Sequence, residues 1–405
     1  MIGELTAYCL SCPKPRCETG CPCGNHIRDY IKAMKEGDLS KAAGILYSVN
    51  PLPELTSRLC DCDRQCQGHC VRGLRGEPVQ VQQIERYISD NSKRPENYPA
   101  LKEKRVAVIG AGPAALSLVY ELRQHGYDAT VYEKEDKIGG AVYTGIPDYR
   151  FDKKYLDAIC EEWKAFGTDF RFHTEIGKDV SLQQLCEEYD AVVLANGAPK
   201  ENTAGFAESE RIIGGLTLLH RLNVEKDNAL PGKRAYVWGG GNVAMDCARS
   251  LIRRIEDVTV LYRRSLKEMP ANAREIEEAQ AEGVKFAYLH NIKDVVEKED
   301  KLLLTVCEME LGEAGSDGRA SVSEVEGSLT EVETDMLIMA IGQKTDFSIA
   351  GINGYPAEHH VREKLFVCGD AFTGPKTVVK AIRDGKDTAA FVLQYLEGET
   401  ADESR

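Results

Sequence analysis

The chain has 405 residues, 42% of them hydrophobic, and carries 51 Lys and Arg against 65 Asp and Glu, a formal net charge of −14. That length allows two or three domains of ordinary soluble composition, and the acidic balance argues against nucleic acid or an anionic membrane as partner. No apolar run reaches the roughly 18 residues of a membrane span, and the N-terminus lacks the basic start and apolar stretch of a secretory signal, so a reducing cytoplasm is expected.

The first hundred residues form a cysteine head. Nine of the fourteen cysteines lie in residues 1–70, in two groups. Cys9, Cys12, Cys17 and Cys21, followed by Pro22, form the first; Cys60, Cys66 and Cys70, with Cys62 among them, form the second. Between them, Ile27, Tyr30, Ile31 and Met34 share one helical face. Asp38 is placed to cap a second helix with the face Ala42, Ala43, Leu46 and Tyr47. A helical hairpin therefore brings the two groups together. Short cysteine spacings with a proline after the last suit iron–sulfur ligation, and the ligand number suits two [4Fe–4S] clusters. Zinc is the competing reading, but only Cys9 and Cys12 have the spacing of a zinc knuckle. Cys23 and Cys62 are left over and read as packed or exposed thiols.

An α/β body follows. Arg105–Ile109 is an apolar strand running into Gly110-Ala-Gly112-Pro113-Ala114-Ala115 and a helix over 116–125. A second strand over 129–132 ends at Glu133. Glycines at such a strand-to-helix turn let a dinucleotide pyrophosphate approach the helix N-terminus, and the acid bonds a ribose hydroxyl. Gly139 and Gly140 follow the acid and lead to Gly145-Ile146-Pro147. Near the far end, Leu365–Cys368 is a buried strand into Gly369-Asp370, with a helix from Thr377 to Asp384. Glycine turns at both ends point to one domain split by an insertion.

The insertion repeats the signal. Arg234–Trp238 is a strand, Gly239-Gly-Gly241-Asn242-Val243-Ala244 a second such turn, and 245–254 its helix. The next strand, Val258–Tyr262, ends in Arg263-Arg264 instead of an acid. Arginines pair with the 2′-phosphate of NADP where an acid would repel it, so NADP(H) is favoured over NAD(H), with Arg274 a further contact. Lys301–Glu333 alternates apolar and charged residues about a GEAGSDGR turn and reads as a hairpin closing the insertion. No Ser-His-Asp, HExxH or P-loop pattern is present, and His359-His360 reads as surface. The body cysteines Cys160, Cys186, Cys247, Cys307 and Cys368 form no redox pair, which argues against a self-sufficient flavin disulfide reductase. The intact second turn argues against a non-catalytic redox-sensing or assembly scaffold.

The order of parts resembles the glutamate synthase small-subunit family, which includes the N-terminal half of dihydropyrimidine dehydrogenase and the flavin subunits related to it. The resemblance covers essentially the whole chain and rests on the two cysteine groups, VAVIGAGPAAL, YEKEDKIGGAVYTGIPDYRF, GGGNVAMDCA, VTVLYRRSLKEMPA and LFVCGDAFTGPKTVVKAI. It implies a helical domain at 1–100 with two [4Fe–4S] clusters. An FAD domain is implied at 101–200 and 335–405, and an inserted NAD(P)H domain at 201–334, both Rossmann-like. FAD would take Gly110, Gly112, Pro113, Ala114, Glu133, Gly139, Gly140, Gly145, Ile146, Pro147, Gly369, Asp370 and Thr377. NADPH would take Gly239, Gly241, Asn242, Val243, Arg263, Arg264 and Arg274. One cluster would be held by Cys9, Cys12, Cys60 and Glu85, the other by Cys17, Cys21, Cys66 and Cys70. Taken alone, Glu85 reads as a solvated helix residue. The family implies electron flow between NAD(P)H, flavin and clusters, to or from a catalytic partner subunit or ferredoxin-type carrier, with no acid–base residue. Asn196 and Lys386 depart from the family pattern.

Overall fold

In the computed structural model, which describes residues 2–315 and 319–398, the cysteine head is helical. Its longer helices are Ile2–Ala7, Ile27–Lys35, Leu39–Tyr47, Pro53–Leu59 and Val81–Asn91. Asp38 caps the third, its carboxylate accepting from the Lys41 N–H at 2.9 Å. The faces read from the sequence meet in a core of Tyr30, Ile31, Leu46, Ile84 and Ile88. Each such side chain contributes about 1.5–3 kcal/mol through burial.

The head and the first glycine-turn domain form one compact unit of Met1–Val142, Phe151–Ala198 and Thr345–Arg405. Its sheet has six strands in the order His360–Arg362, Leu365–Val367, Ala191–Leu194, Arg105–Ile109, Asp128–Tyr132 and Asp169–Arg171. All neighbours are parallel except the first pair. Helices Pro113–Gln124 and Val378–Glu397 pack tightly together. The Ser117 hydroxyl donates to the Ile382 carbonyl at 2.7 Å, and a Cβ at Gly385 would stand 2.2 Å from the Ala114 carbonyl oxygen. Lys386, one of the two departures from the family pattern, donates to the Val49 carbonyl of the head and pairs with Glu121 at 3.3 Å.

The second unit is Tyr143–Arg150 with Pro199–Lys344. Five parallel strands run in the order Ile212–Gly214, Met336–Met339, Arg234–Trp238, Asp257–Tyr262 and Lys285–Tyr288. The expected closing hairpin is instead an antiparallel ribbon of four strands. His290–Lys298 pairs with one side of Lys301–Ala314, and Ala320–Glu324 and Thr330–Thr334 pair with the other. Residues 316–318, in the middle of the GEAGSDGR turn, lie outside the described residues.

Two boundaries correct the sequence reading. The insertion runs to Lys344, not to 334, because Met336–Met339 hydrogen-bonds within the second sheet. Tyr143–Arg150, read as part of the first dinucleotide domain, belongs to the second unit. Arg150 pairs there with Asp246 at 2.5 Å and Glu275 at 3.0 Å, and Asn223 donates to the Thr144 carbonyl at 3.0 Å. No helix among the described residues is long and apolar enough to cross a membrane.

Candidate functional site

Two cavities in the head gather the cysteines. One, of roughly 440 Å³ and open to solvent, is lined by Cys9, Cys12, Cys17 and Cys70. The other, of roughly 350 Å³, is lined by Cys21, Cys60, Cys66 and Glu85, with Cys62 at its wall. The cavities group these side chains differently from the sets implied by the resemblance: Cys60 and Glu85 lie with Cys21 and Cys66, whereas Cys17 and Cys70 lie with Cys9 and Cys12. Local geometry explains how the two groups approach. Gly20, between Cys17 and Cys21, lies where a Cβ would stand 2.6 Å from the imidazole of His69, the neighbour of Cys70. Ser11 has φ of 51°, and its N–H donates to the Cys9 sulfur at 3.4 Å. The Cys62 carbonyl accepts three N–H groups, from Gln65, Gln67 and Gly68, closing the tight turn that presents Cys66.

Burial pushes the thiol of Cys17 up to about 12 and raises those of Cys21, Cys60 and Cys66 as well. Bare, these groups stay protonated and unreactive; a coordinated cation is what deprotonates a thiol in such surroundings. The cavities therefore fit a metal centre better than a dithiol redox site. Among the described residues no three His, Cys, Asp or Glu close around a single ion. A tetrahedral zinc site needs sulfurs about 3.8 Å apart, whereas a multi-iron cluster spreads its ligands round a wider body.

Glu85 is not solvated. It lies on the buried face of Val81–Asn91 and is 6% exposed. Its Oε1 accepts from the Thr56 hydroxyl and from Asn50 at 3.2 Å, and its Oε2 accepts from Asn25 at 3.4 Å. Burial lifts the carboxyl to about 7, against the lowering effect of Thr56 and Asn25. A buried carboxylate needs such partners or a cation. Asn25, Asn50 and Thr56 carry no sequence signal. Cys23 is buried with its sulfur 3.8 Å from the Val379 carbonyl, and Cys62, which also lines the second cavity, lies 3.4 Å from Gln82 Oε1.

The first glycine turn is assembled from three parts of the chain. Gly110 has φ of 98°, and a Cβ there would stand 2.6 Å from the Ala195 carbonyl oxygen. Gly112 caps Pro113–Gln124 and has open space where a Cβ would project. Glu133 turns back on this loop, one carboxylate oxygen accepting from the Ala111 N–H at 2.8 Å and the other from the Glu135 N–H at 3.0 Å. Burial raises its pKa against those two hydrogen bonds. A Cβ at Gly140 would stand 3.0 Å from Gly112 Cα, and Gly139 donates to the Ala111 carbonyl at 2.8 Å. Gly369, with φ of 70°, brings its Cα against Ala114. The five glycines and Glu133 thus converge on one helix N-terminus, a cradle for a pyrophosphate. Asp370 begins the short helix after Gly369, and burial pushes it up to about 6. Thr377 is the N-cap of Val378–Glu397 without a side-chain cap bond. Gly145, Ile146 and Pro147 lie in the second unit.

Residues missed from the sequence support this cradle. Asp384, buried on Val378–Glu397, accepts the Gly369 N–H. His359, read as surface, is buried: its Nδ1 lies 3.0 Å from both the Val367 carbonyl and Thr388 Oγ1, and its ring lies on Phe372. His360 is exposed as expected. Asn196 donates to the Asp346 carbonyl at 2.9 Å, while its buried Oδ1 has no protein partner.

The second turn repeats the construction. Gly239 has φ of 150°, and a Cβ there would stand 2.2 Å from the Ala340 carbonyl oxygen. Gly241 caps Asn242–Ile252 and again faces open space. A Cβ at Gly240 would stand 2.5 Å from the Tyr262 ring. Asn242 accepts the Asn272 N–H at 2.9 Å through its side chain, and Val243 packs beside Gly215. Arg263 is exposed after its strand, and Arg264 is steered by the Ala320 carbonyl at 2.8 Å. Arg274 is exposed and tied to Glu278 at 2.9 Å, so of the three arginines it is the one already paired.

Comparison with known proteins agrees with this architecture. Residues 3–97 match the family described as dihydropyrimidine dehydrogenase domain II, 4Fe-4S cluster, and residues 104–385 match pyridine nucleotide-disulphide oxidoreductase. The glutamate synthase [NADPH] small chain of Halomonas elongata is 33% identical over 96% of this chain and 89% of its own length. The NADPH-Fe(3+) oxidoreductase subunit beta of Geobacter sulfurreducens is 33% identical over 98% of this chain, which spans 64% of that relative. FprA from Mycobacterium tuberculosis in complex with NADPH shares the fold, with a TM-score of 0.62 and 19% identity over 75% of this chain and 88% of that one. The chain belongs to the glutamate synthase small-chain family of oxidoreductases.

Proposed function

We propose that this family member is the NADPH-dependent electron-transfer subunit of a cytoplasmic oxidoreductase. It would hold one FAD, two [4Fe–4S] clusters and a transient NADPH. The observation that carries this reading is the pair of cavities, one lined by four cysteines and the other by four cysteines and Glu85, in the same compact unit as a complete dinucleotide turn. Cys9, Cys12, Cys17 and Cys70 would hold one cluster, and Cys21, Cys60, Cys66 and Glu85 the other. When bound, nicotinamide and flavin supply hydride exchange, and the iron–sulfur centres supply single-electron transfer to or from a partner catalytic subunit or ferredoxin-type carrier.

The protein's own part is placement. Gly110, Gly112, Pro113, Ala114, Gly139 and Gly140 admit the FAD pyrophosphate to the N-terminus of Pro113–Gln124, with Glu133 beside a ribose. Gly369, Asp370 and Thr377 line the far side, and Asn196 Oδ1 offers an unused acceptor. Gly239, Gly241, Asn242 and Val243 do the same for NADPH, with Arg263 and Arg264 facing the 2′-phosphate. No side chain in either turn is needed to move a proton.

The test is anaerobic purification with iron, sulfide and flavin counted, then titration with NADPH and NADH while the flavin band is followed. About eight irons and one FAD per chain, bleached preferentially by NADPH, support the reading. Zinc in place of iron, or no bleaching by either nucleotide, overturns it.

A further inference from the structure

We propose that the face around the Cys9, Cys12, Cys17 and Cys70 cavity is a docking surface for a small acidic one-electron carrier protein. The proposal rests on the reading above that this cavity holds an iron–sulfur centre. Position comes first. The Cys21, Cys60, Cys66 and Glu85 cavity is the inner one: Val379, from the helix Val378–Glu397 of the dinucleotide domain, forms part of its wall. The Cys9 cavity is walled by the head alone, with no residue of the dinucleotide domain in its lining, which makes it the outer end of the path within this unit.

Charge comes second. The two segments that carry the outer cysteines, residues 8–17 and 70–76, contain Lys14, Arg16, Arg72 and Arg75 and no acid, in a chain whose net charge is −14. Lys35 adds a fifth cation beside them, its ammonium donating to the Cys9 carbonyl at 2.7 Å. The acids nearby are in part occupied: Glu18 accepts the Arg28 N–H at 2.9 Å, and Asp29 pairs with Arg28 at 3.0 Å. Glu77 is exposed at the edge.

The third point is apolar exposure. Leu74 is 68% exposed and Leu10 54%, with Tyr8 half-exposed between their loops. A single exposed leucine means nothing, but three exposed apolar or aromatic side chains on the two segments that carry one set of cysteines, among the cations named above, are what a small apolar contact within a cationic rim needs. The surface is also pre-ordered. Arg72 stacks over the Tyr8 ring at 4.0 Å and donates to the Tyr8 carbonyl at 3.0 Å, and the Tyr8 hydroxyl donates to the Glu77 carbonyl at 3.0 Å. A small apolar centre suits short-lived contact, and the cationic rim steers an acidic partner in from solution. In the forward direction each NADPH gives two electrons and releases one proton, so two carriers take one electron each.

The experiment uses the anaerobic holoprotein and a purified acidic [4Fe–4S] ferredoxin, with binding measured by biolayer interferometry at low and high salt. Lys14→Glu/Arg75→Glu and Leu74→Ser are the variants, since none of these side chains lines the cavity. Support is saturable binding that weakens steeply with salt, falls roughly tenfold in the double charge reversal and several-fold in Leu74→Ser. Iron content and NADPH–ferricyanide turnover should stay unchanged in both variants. No binding by the wild type, equal binding by the variants, or preference for a basic cytochrome c overturns the proposal. Absence of iron or of NADPH oxidation in the wild type would instead overturn the functional reading beneath it.

Discussion

Arg94 offers the sharpest test of how the head is fixed to the body. Its side chain is almost fully buried, with Nε 2.7 Å from Glu162 and Nη2 3.7 Å from Glu54. The rings of Tyr47, Trp163 and Tyr120 lie 4.3, 4.8 and 4.9 Å from its guanidinium carbon. Tyr47 and Glu54 belong to the head, Tyr120 and Glu162 to the body, so one cation ties the two together. Burial alone would lower its pKa, but Glu54 and Glu162 outweigh that and hold the charge firmly on. Arg94→Met keeps much of the volume and leaves two acids facing an aromatic cage. Breaking a buried ion pair on one side costs about 3–5 kcal/mol. The low end applies here, since Glu54 keeps the Tyr47 hydroxyl at 2.8 Å and the Glu162 side chain is 34% exposed and can be hydrated. For a unit of about 250 residues, ~3 kcal/mol lowers the melting temperature by about 6–12 °C. Thermal melts of the holoprotein by circular dichroism measure it. Adding Glu54→Gln should recover about 1 kcal/mol or more, because one stranded charge is gone. A drop under 2 °C, or strict additivity of the two changes, would refute the argument.

Four further outcomes are expected. Cysteine-to-serine changes should fall into two classes by electron paramagnetic resonance: Cys17 and Cys70 alter the same signal as Cys9, and Cys21 alters the same signal as Cys60. A shared signal for Cys17 and Cys21 would contradict the cavities. Gly385→Ala would place a methyl 2.2 Å from the Ala114 carbonyl oxygen and should destabilise the first unit by about 2–3 kcal/mol, read from urea midpoints. In flavin-free protein, Asp370 titrates near 6 when folded, above its unfolded value of about 3.9. The folded state then holds the proton more tightly, so this group's contribution is full below about 4 and is lost as pH rises through 6. Asp370→Asn should therefore gain stability on the wild type between pH 4.5 and 7.5, and a pH-independent difference would refute the sign. Arg263→Ala should raise KM for NADPH roughly tenfold while leaving NADH unchanged; equal effects on both would remove the 2′-phosphate assignment.

Much of this was legible because the signals are local. Asp38 caps its helix as read, both glycine turns lie between strand and helix, and Glu133 folds back onto its turn. What escaped depends on distant neighbours. Met336-Leu-Ile-Met339 is an apolar strand wherever it is placed, and only its pairing with Arg234–Trp238 assigns it to the second sheet. His359 is polar and sits beside an exposed histidine, so nothing in the sequence shows that Thr388 and the Val367 carbonyl bury it. Glu85 reads as one more charged helix residue until Asn25, Asn50 and Thr56, from three other segments, are seen around it.

The grouping of the cysteines into two cavities has a topological cause. The chain leaves the first cysteine group through Ile27–Lys35, turns, and comes back through Leu39–Tyr47 and Pro53–Leu59 to the second group. A returning chain runs opposite to the one it meets, so the earliest cysteines face the latest and the inner ones face each other. That nesting puts Cys70 with Cys9, Cys12 and Cys17, and Cys60 and Cys66 with Cys21, as the two cavities show. The same return places Cys60 at the end of Pro53–Leu59, one helical turn after the Thr56 that holds Glu85. The second cavity thus lies where head and dinucleotide domain meet, whereas the first is walled by the head alone.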